Sequence, residues 1–199
     1  MQIRLRTEER QAEIVAAALR LAREANPALI TTTEIASAIG VTQGAVFKHF
    51  PTKDAIWVAA VQWVRGALMQ NLRAAATEAR TPLDALSAMF RAHVDFVVSH
   101  PGVPHLILHE LQQPADSATK QEVRALMQAY RKLLLDNLEQ AVSQGQVIPD
   151  LDREAAATTF VGLIQGLVMQ AMLAGRSTAM RSQAERVFVL FRRSLGEAS

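Results

Sequence analysis

Apolar residues recur at helical spacing along almost the whole chain, whereas the two-residue alternation of a β-strand is rare. Residues that favour helices, above all Ala, Leu, Gln, Glu and Arg, dominate the composition, and aromatic residues make up only 5% of it. Half of the residues are hydrophobic, which is enough for a packed core. The pattern therefore predicts an all-α fold of about nine helices joined by short loops.

Proline, glycine and capping residues mark where the predicted helices begin and end. The first helix is expected over Glu9–Ala25 and ends before Asn26-Pro27, because the residue preceding a proline is pushed out of the α region. Further helices are expected over about 33–39, 43–49, 53–72, 82–99, 106–113, 119–142, 153–174 and 178–195.

Side chains that can cap a helix stand at several of these starts. Thr52, Thr81 and Asp152 can each accept a hydrogen bond from the first turn of the helix that follows. Thr119 and Glu122 have the spacing of a capping box, in which each side chain bonds the backbone of the other residue. Residues 100–104, which include two prolines and a glycine, are expected to form a loop.

The composition also bears on the compartment. The chain contains no cysteine, which excludes a disulfide framework, a thiolate metal site and a cysteine nucleophile, and which fits a reducing compartment. Residues 1–11 are charged where a signal peptide needs an apolar stretch. The most apolar run, Phe160–Met172, is interrupted by two glutamines and is shorter than the roughly 20 residues that span a bilayer. We therefore expect a cytoplasmic protein without membrane contact.

Charge is distributed unevenly. The net charge is +2, and residues 1–53 hold seven Lys or Arg against five Asp or Glu, whereas residues 54–199 hold fourteen of each. A local basic surplus suits a polyanionic partner, but ordinary scatter explains a difference of two charges equally well.

One segment near the N-terminus meets the requirements of a helix-turn-helix, in which two short helices cross near a right angle. Ala36 is small where the second helix crosses the first. Gly40 tolerates the positive φ of the turn, and Val46, ten positions after Ala36, points back into the angle. Further apolar residues complete a small core: Ile35, Ile39 and Val41.

The remaining residues of the second helix then point outward and form a candidate DNA surface. Its first residues are small or polar, so that backbone N–H groups and side chains can approach phosphates and base edges in the major groove. Donor side chains beside them can hold the sugar-phosphate backbone. The predicted DNA-binding residues are Thr33, Thr42, Gln43, Gly44, Ala45, Lys48, His49 and Lys53. Taken singly, Gln43, Lys48 and Lys53 are explained better as ordinary solvated residues of a surface hairpin. Together with the spacing of Ala36, Gly40 and Val46, the DNA-binding interpretation is the better one.

The run Ile-Ala-x-x-Ile-Gly-Val-Thr-x-Gly-Ala-Val-Phe-x-His-Phe-Pro-x-Lys-x-x-Ile, from Ile35 to Ile56, resembles the signature of TetR-type transcriptional regulators. The resemblance covers about residues 7–57. One position departs from it: Phe47 stands where family members often carry Tyr. A phenyl ring cannot donate to phosphate, so we expect Phe47 to be a neighbour of the DNA backbone and not a donor.

The resemblance implies a homodimer of all-helical subunits that binds double-stranded operator DNA and a small-molecule effector. It places a DNA-binding domain over residues 1–53, with the helix-turn-helix at about 31–50, and a ligand-binding and dimerisation domain over residues 54–199. The function it implies is a ligand-responsive repressor that binds a palindromic operator.

The eighth predicted helix is apolar on nearly every side and therefore needs cover on two sides. Gly162 and Gly166, one turn apart, would allow another helix to approach closely. With the ninth helix it resembles the pair that forms the dimer interface in this family; the alternative is a long core helix inside a monomer. The expected interface residues are Phe160, Leu163, Leu167, Phe188 and Phe191.

Bulky and adaptable side chains of the middle helices predict an apolar effector pocket, although most of them will be plain core. Tyr130 and Gln165 are the stronger candidates, because a buried polar group needs a partner. The full predicted set is Phe96, Met127, Tyr130, Gln165 and Met169.

Catalytic and metal sites are not indicated. We find no helical HExxH, no phosphate-cradling glycine loop and no nucleophile–base motif. His105 and His109 stand four apart, but spacing fixes no third ligand, so solvated or capping histidines explain them better. We expect no catalytic residue, no metal and no cofactor. The alternative function is a helical metal-binding protein or enzyme that uses the N-terminal helices only for assembly.

Overall fold

The computed structural model of the chain describes residues 7–175 and 179–196, and these contain nine α-helices and no β-strand. In chain order the helices are α1 (Thr7–Leu21), α2 (Thr32–Ala38), α3 (Gln43–Phe47), α4 (Lys53–Thr77), α5 (Pro82–Ser99), α6 (Gly102–Gln112), α7 (Ala118–Ser143), α8 (Arg153–Ala174) and α9 (Met180–Ser194). The predicted all-α fold is confirmed for this part of the chain.

Three predicted N-caps are present. Thr52, Thr81 and Asp152 each accept a hydrogen bond from the backbone N–H three residues later, at 3.0–3.1 Å. These bonds satisfy N–H groups that have no partner within their own helix, so α4, α5 and α8 begin where the sequence predicts. The predicted start of the last helix, Thr178, lies outside the described residues.

Two helix starts differ from the prediction. α7 is capped by Ser117 and not by Thr119: the Ser117 hydroxyl accepts the Lys120 N–H at 2.9 Å, and Thr119 is buried in the first turn. α6 begins at Gly102, inside the predicted loop, because glycine lets this helix pack directly on α1. A Cβ on Gly102 would lie only 1.8 Å from the Leu19 carbonyl oxygen.

α1 ends at Leu21, before the predicted end at Ala25. The Glu24 N–H donates to the Leu21 carbonyl at 3.0 Å, which is a tighter turn than an α-helix makes. The Asn26 side chain then accepts the Ala28 N–H at 2.9 Å and shapes the loop that follows.

The chain divides into two compact units. Among the described residues, the N-terminal unit contains 7–66 together with 100–125, and the C-terminal unit contains 67–99 together with 126–175 and 179–196. This division differs from the predicted boundary at residue 53. The reason is that α6 packs on α1, and that Glu122 at the start of α7 accepts a hydrogen bond from Gln62 of α4 at 2.9 Å.

Each unit has its own core. In the N-terminal unit Ile14, Ile35, Val46 and Ile56 are all fully buried. The C-terminal unit is filled by an aromatic cluster whose neighbouring ring centroids lie 5.2–6.4 Å apart, in the range of favourable ring contacts. The aromatic cluster consists of Phe90, Tyr130, Phe160, Phe188 and Phe191.

Helix α8 is longer than the apolar run noted in the sequence. The most apolar 18-residue stretch within residues 153–173 has a mean hydropathy of 1.5, and by length and composition alone this segment could cross a membrane. The apolar run Phe160–Met172 is by itself shorter than a bilayer span, as expected, but the helix that contains it is long enough. One third of its most apolar stretch is buried within the chain, and the core helix of a soluble protein meets the same criterion.

Candidate nucleic-acid interface

α2, α3 and the turn between them form the predicted helix-turn-helix. Ala36 and Val46 are buried, with 2% and 0% exposure. Gly40 has φ +67°, the left-handed conformation that this turn requires and that glycine adopts without strain. The Val41 N–H donates to the Ala36 carbonyl at 3.0 Å and closes the turn. The roles predicted for Ala36, Gly40 and Val46 are confirmed.

Thr31 begins α2 with a reciprocal capping box that the sequence analysis missed, although the spacing to Glu34 indicates one. The Thr31 N–H donates to the Glu34 carboxylate at 2.7 Å, and the Glu34 N–H donates to the Thr31 hydroxyl at 3.1 Å. Hydrogen bonds from the Thr31 backbone and then from its hydroxyl lower the pKa of Glu34. The cap holds the backbone of the first two residues of α2, Thr32 and Thr33, in helical conformation.

Thr42 begins α3 and accepts the Ala45 N–H at 3.2 Å. Gln43, the first residue of the helix, is exposed, and its Nε2 donates to the Thr32 hydroxyl oxygen at 2.7 Å. Gly44 is also exposed, and a Cβ there would meet only the Thr42 hydroxyl, at 4.0 Å. The fold therefore does not itself require glycine at position 44. Sequence reasoning missed Thr32, because no local pattern links residues eleven positions apart.

The side chains predicted to contact the DNA backbone differ in whether they already have a hydrogen-bond partner within the chain. Lys48 is exposed, and its ammonium group has no hydrogen-bond or ion-pair partner among the described residues. His49 is partly buried, and its Nδ1 atom has no hydrogen-bond partner there either. Lys53 donates from Nζ to the Ala28 carbonyl at 2.8 Å and so holds the loop after α1. Phe47 is 44% exposed, which is unusual for a large apolar side chain.

All nine predicted DNA-binding residues lie on the helix-turn-helix or just after it. The exposed ones are Thr33, Thr42, Gln43, Gly44, Phe47 and Lys48, and the partly buried ones are Ala45, His49 and Lys53. The outer surface of the motif therefore combines hydrogen-bonding groups, small residues and at least one free cation. That combination can contact base edges and phosphates.

In the C-terminal unit, Tyr130 is fully buried and its hydroxyl lies 3.0 Å from Nδ1 of His93. Burial lowers the pKa of His93 to about 4 and raises the pKa of Tyr130. Both rings are therefore neutral at pH 7, and they form a hydrogen-bonded pair beside the aromatic cluster. The expectation that buried Tyr130 has a polar partner is met by His93, which the sequence analysis had not singled out.

The other predicted pocket residues do not gather around this pair. Phe96 is buried and Met127 is partly buried, but Gln165 is exposed and Met169 is 45% exposed. The set is therefore corrected: α8 turns Gln165 and Met169 to the surface of the chain, where they cannot line an enclosed pocket with Tyr130.

An open cleft of about 440 Å³ lies elsewhere in the C-terminal unit, between the second half of α7 and the start of α8. Its walls are mainly acidic and include none of the predicted pocket residues. They are formed by Leu135, Asp136, Glu139, Leu151, Asp152, Arg153 and Glu154.

The aromatic residues predicted at a dimer interface belong to the interior of a single chain. Phe160, Phe188 and Phe191 are at most 7% exposed, because they pack on one another and on Phe90. Leu167 is buried as well, and Leu163 is partly buried. The expectation is therefore corrected for Phe160, Leu167, Phe188 and Phe191, whereas for the partly buried Leu163 it stays a prediction. The large apolar residues that α8 and α9 expose are Met169, Leu173, Val189 and Leu190.

Among residues 7–175 and 179–196, no group of three or more His, Asp and Glu side chains is arranged to hold a metal ion. His109 instead lies against Gln113, whose amide nitrogen is 3.4–3.5 Å from the two ring nitrogens.

Two family models match the chain. Residues 14–60 match the model described as bacterial regulatory proteins of the tetR family, and residues 109–187 match the model described as the tetracyclin repressor-like C-terminal domain. The first match contains the whole helix-turn-helix, and the two together cover more than half of the chain.

Relatives support the same assignment. The HTH-type transcriptional regulator BetI of Rhizobium meliloti (strain 1021) is 28% identical over 164 residues, which are 82% of this chain and 78% of BetI. The nucleoid occlusion factor SlmA of Vibrio vulnificus (strain YJ016) is 21% identical over 159 residues, 79% of this chain and 81% of SlmA.

The fold is also that of a solved regulator. The transcriptional regulator FadR from Bacillus subtilis, in complex with stearoyl-CoA, superimposes with a TM-score of 0.80 at 18% identity and covers 90% of this chain and 96% of FadR. With the helix-turn-helix and both family models in agreement, the chain belongs to the TetR family and is a DNA-binding transcriptional regulator.

Proposed function

We propose that this regulator is a homodimeric, cytoplasmic, ligand-responsive repressor that binds a palindromic operator. The observation that carries the proposal is the helix-turn-helix, whose interior is closed by Ala36, Gly40 and Val46 while Gln43 and Lys48 face solvent. Two such motifs, related by a twofold axis, fit two half-sites about one helical turn of DNA apart.

The residues of the motif divide by the kind of contact they can make. Thr42 and Gln43 can reach base edges, and the open space around Gly44 allows the DNA backbone to come close. Lys48 supplies a free charge for a phosphate. Lys53 uses one of its three ammonium hydrogens on the Ala28 carbonyl and keeps two for DNA.

The exposed side of α8 supports a dimer. Ala155, Thr159, Gly162, Gly166 and Leu173 are all exposed and recur at spacings of three, four and seven, so they follow one side of the helix. We call them the α8 stripe. A Cβ at either glycine would meet nothing within 4 Å inside the chain, so a helix from a second copy can approach there closely.

Exposed apolar side chains on α8 and α9 point the same way. Leu173 is 77% exposed, and Val189 and Leu190 of α9 are 47% and 64% exposed. Large apolar side chains that a folded chain leaves exposed to this extent are candidates for an interaction site. A second copy of the chain is the proposed occupant, since the family resemblance implies a dimer formed by these two helices.

The His93–Tyr130 pair is the proposed polar contact of the effector site. It is a neutral hydrogen-bonding pair in otherwise aromatic surroundings, which suits a largely apolar molecule with a hydrogen-bonding group. The relative FadR holds stearoyl-CoA, a ligand with a long apolar chain. An effector that binds one arrangement of the subunits more tightly lowers operator affinity by that difference in affinity.

The DNA-binding part is tested by titrating DNA with the full chain at several salt concentrations. We expect the logarithm of the affinity to fall linearly with the logarithm of the salt concentration. Lys48→Gln should reduce the slope by about two per dimer, whereas Lys132→Gln, on the exposed surface of α7, should leave it unchanged. Binding that depends on neither salt nor sequence would favour the alternative, a helical enzyme or metal-binding protein.

The effector part is tested separately by a thermal-shift screen of apolar small molecules, followed by operator titration with each one that binds. We expect at least one stabilising compound to weaken operator binding. If no compound changes operator affinity, the chain is a DNA binder without a ligand. This second candidate function, DNA binding without an effector, is considered because one relative, SlmA, is named a nucleoid occlusion factor and not a transcriptional regulator.

A further inference from the structure

We propose that Thr32 is a positioning residue for base recognition: it orients the Gln43 side chain so that its amide edge pairs with adenine in each operator half-site. The inference rests on the proposed function, because it concerns the same interface. Thr32 is 8% exposed in the free chain and donates nothing to the outer surface itself; it acts through the 2.7 Å hydrogen bond that it accepts from Nε2 of Gln43.

Both partners of this hydrogen bond are held at the start of a capped helix. Thr32 directly follows Thr31, whose capping box with Glu34 closes the first turn of α2. Gln43 directly follows Thr42, which caps α3. The bond therefore joins two fixed backbone positions, and only the Gln43 side chain is left to be ordered.

The hydrogen bond determines what Gln43 can present to DNA. A glutamine amide carries two N–H donors and one carbonyl acceptor. With one N–H occupied by Thr32, the other N–H and the free Oε1 offer one donor beside one acceptor. This pair matches adenine, whose major-groove edge offers N7 as acceptor and N6–H as donor. Guanine offers two acceptors, O6 and N7, and does not match it.

Pre-orientation also affects how strongly the base is selected. A free glutamine loses rotamer freedom on binding and can turn its amide over to suit another base. A glutamine held by Thr32 has already lost part of that freedom and presents one edge. Removing the hydroxyl of Thr32 should therefore weaken discrimination between bases more than it weakens binding as a whole.

The experiment uses the full chain, an operator selected from random DNA and a panel of that operator in which each half-site base pair is changed in turn. Thr32→Val removes the acceptor but keeps the shape of the side chain, and Thr32→Ser keeps the hydroxyl. Gln43→Ala identifies which position depends on the glutamine. Dimer mass and thermal denaturation confirm that each variant is folded.

The wild-type chain should prefer adenine at the Gln43-dependent position by about tenfold or more, in line with a bidentate contact. Thr32→Val should reduce that preference to a few-fold with little change at other positions or in the salt dependence, and Thr32→Ser should retain it. Three results would overturn the inference: an unchanged preference in Thr32→Val, guanine in place of adenine at the Gln43-dependent position, or no position in the operator at which Gln43→Ala changes the base preference. If the wild-type chain selects no sequence at all, the proposed function fails and this inference with it.

Discussion

The helix-turn-helix and the α8 stripe are both exposed surfaces built from small residues, but their chemistry is opposite. Around Gly44 the neighbours are polar or cationic, namely Gln43 and Lys48. Around Gly162 and Gly166 no side chain of α8 is charged, and Leu173 is 77% exposed. The first surface suits a polyanion and the second suits another protein surface.

The glycines show which small residues the fold itself needs. Gly102 has no space for a side chain, because a Cβ would strike the Leu19 carbonyl oxygen. Gly44, Gly162 and Gly166 have open space in front of them within the chain. A glycine with open space in front of it leaves room for a molecule outside the chain, and the two surfaces differ in the kind of molecule they suit.

The largest effect is expected at Gly102. Gly102→Ala should lower the free energy of unfolding by about 3 kcal/mol, because the new Cβ meets backbone and the helices α1 and α6 must separate. Chemical denaturation followed by circular dichroism measures the loss. Gly66→Ala is the matched control, since glycine 66 lies inside α4 in open space, and it should raise stability by about 1 kcal/mol. Equal stability of Gly102→Ala and wild type would show that α6 does not pack on α1 in this way.

The second prediction concerns the hydrogen-bonded pair of the C-terminal unit, in which Tyr130 is fully buried and His93 is partly buried. Burial holds the pKa of His93 at about 4, below its ordinary value of 6.5, so between these values the unfolded chain binds more protons than the folded chain. Stability should therefore fall by about 3 kcal/mol as the pH drops from about 7.5 to 4, and His93 should contribute little to the pH dependence above that window.

Urea denaturation of wild type and His93→Asn at several pH values isolates this contribution. The variant keeps a hydrogen-bonding group near Tyr130 and should show the smaller pH dependence. Identical pH dependence in both proteins would mean that His93 is not buried as a neutral ring.

The third prediction concerns the α8 stripe. Gly166→Leu should raise the dissociation constant of the dimer by about a hundredfold, which corresponds to about 2.7 kcal/mol, because the side chain fills the space left for a second helix. Sedimentation equilibrium gives the constant. Gly66→Leu places the same side chain on an exposed, open position of α4 and should remain dimeric. A dimer of unchanged affinity in Gly166→Leu would place the interface elsewhere.

The smallest effect is expected at Gly44. Gly44→Ala should weaken operator binding by about tenfold, since even one methyl group holds the DNA backbone away, and it should leave unfolding unchanged or slightly less favourable. Fluorescence anisotropy with labelled operator measures the affinity. Ser37→Ala, at another exposed position of the same motif, should bind as wild type does. If Gly44→Ala binds equally well, α3 does not approach DNA at this point.

The two surfaces also differ in how far the sequence predicted them. Within the helix-turn-helix, Ala36, Gly40 and Val46 act through local geometry over ten residues, and spacing alone identifies their roles. The partners of Gln43 and Tyr130 were missed, because Thr32 and His93 are brought to them by tertiary folding. In α8 apolar residues lie on nearly every side, so the sequence pattern does not indicate which side of the helix faces the core. The sequence therefore placed Phe160 outside, where packing on Phe90 places it inside.

The N-cap predicted for α7 was wrong for a related reason. Ser117 and Thr119 are both good N-cap residues, and the capping-box spacing favours Thr119, because Glu122 lies three positions later. The structure uses Ser117, whose hydroxyl also donates to the buried carboxylate of Glu110 at 2.9 Å. A tertiary hydrogen bond thus decided between two locally equivalent starts.

The most direct test of the account is selection from random double-stranded DNA by the purified full chain, followed by footprinting of the enriched sequence. We expect a palindrome whose half-site centres lie about 10 base pairs, or one helical turn, apart, bound by two copies of the chain. Enrichment of no sequence, or of a single half-site bound by one copy, would contradict the account of a dimer that reads DNA through α3.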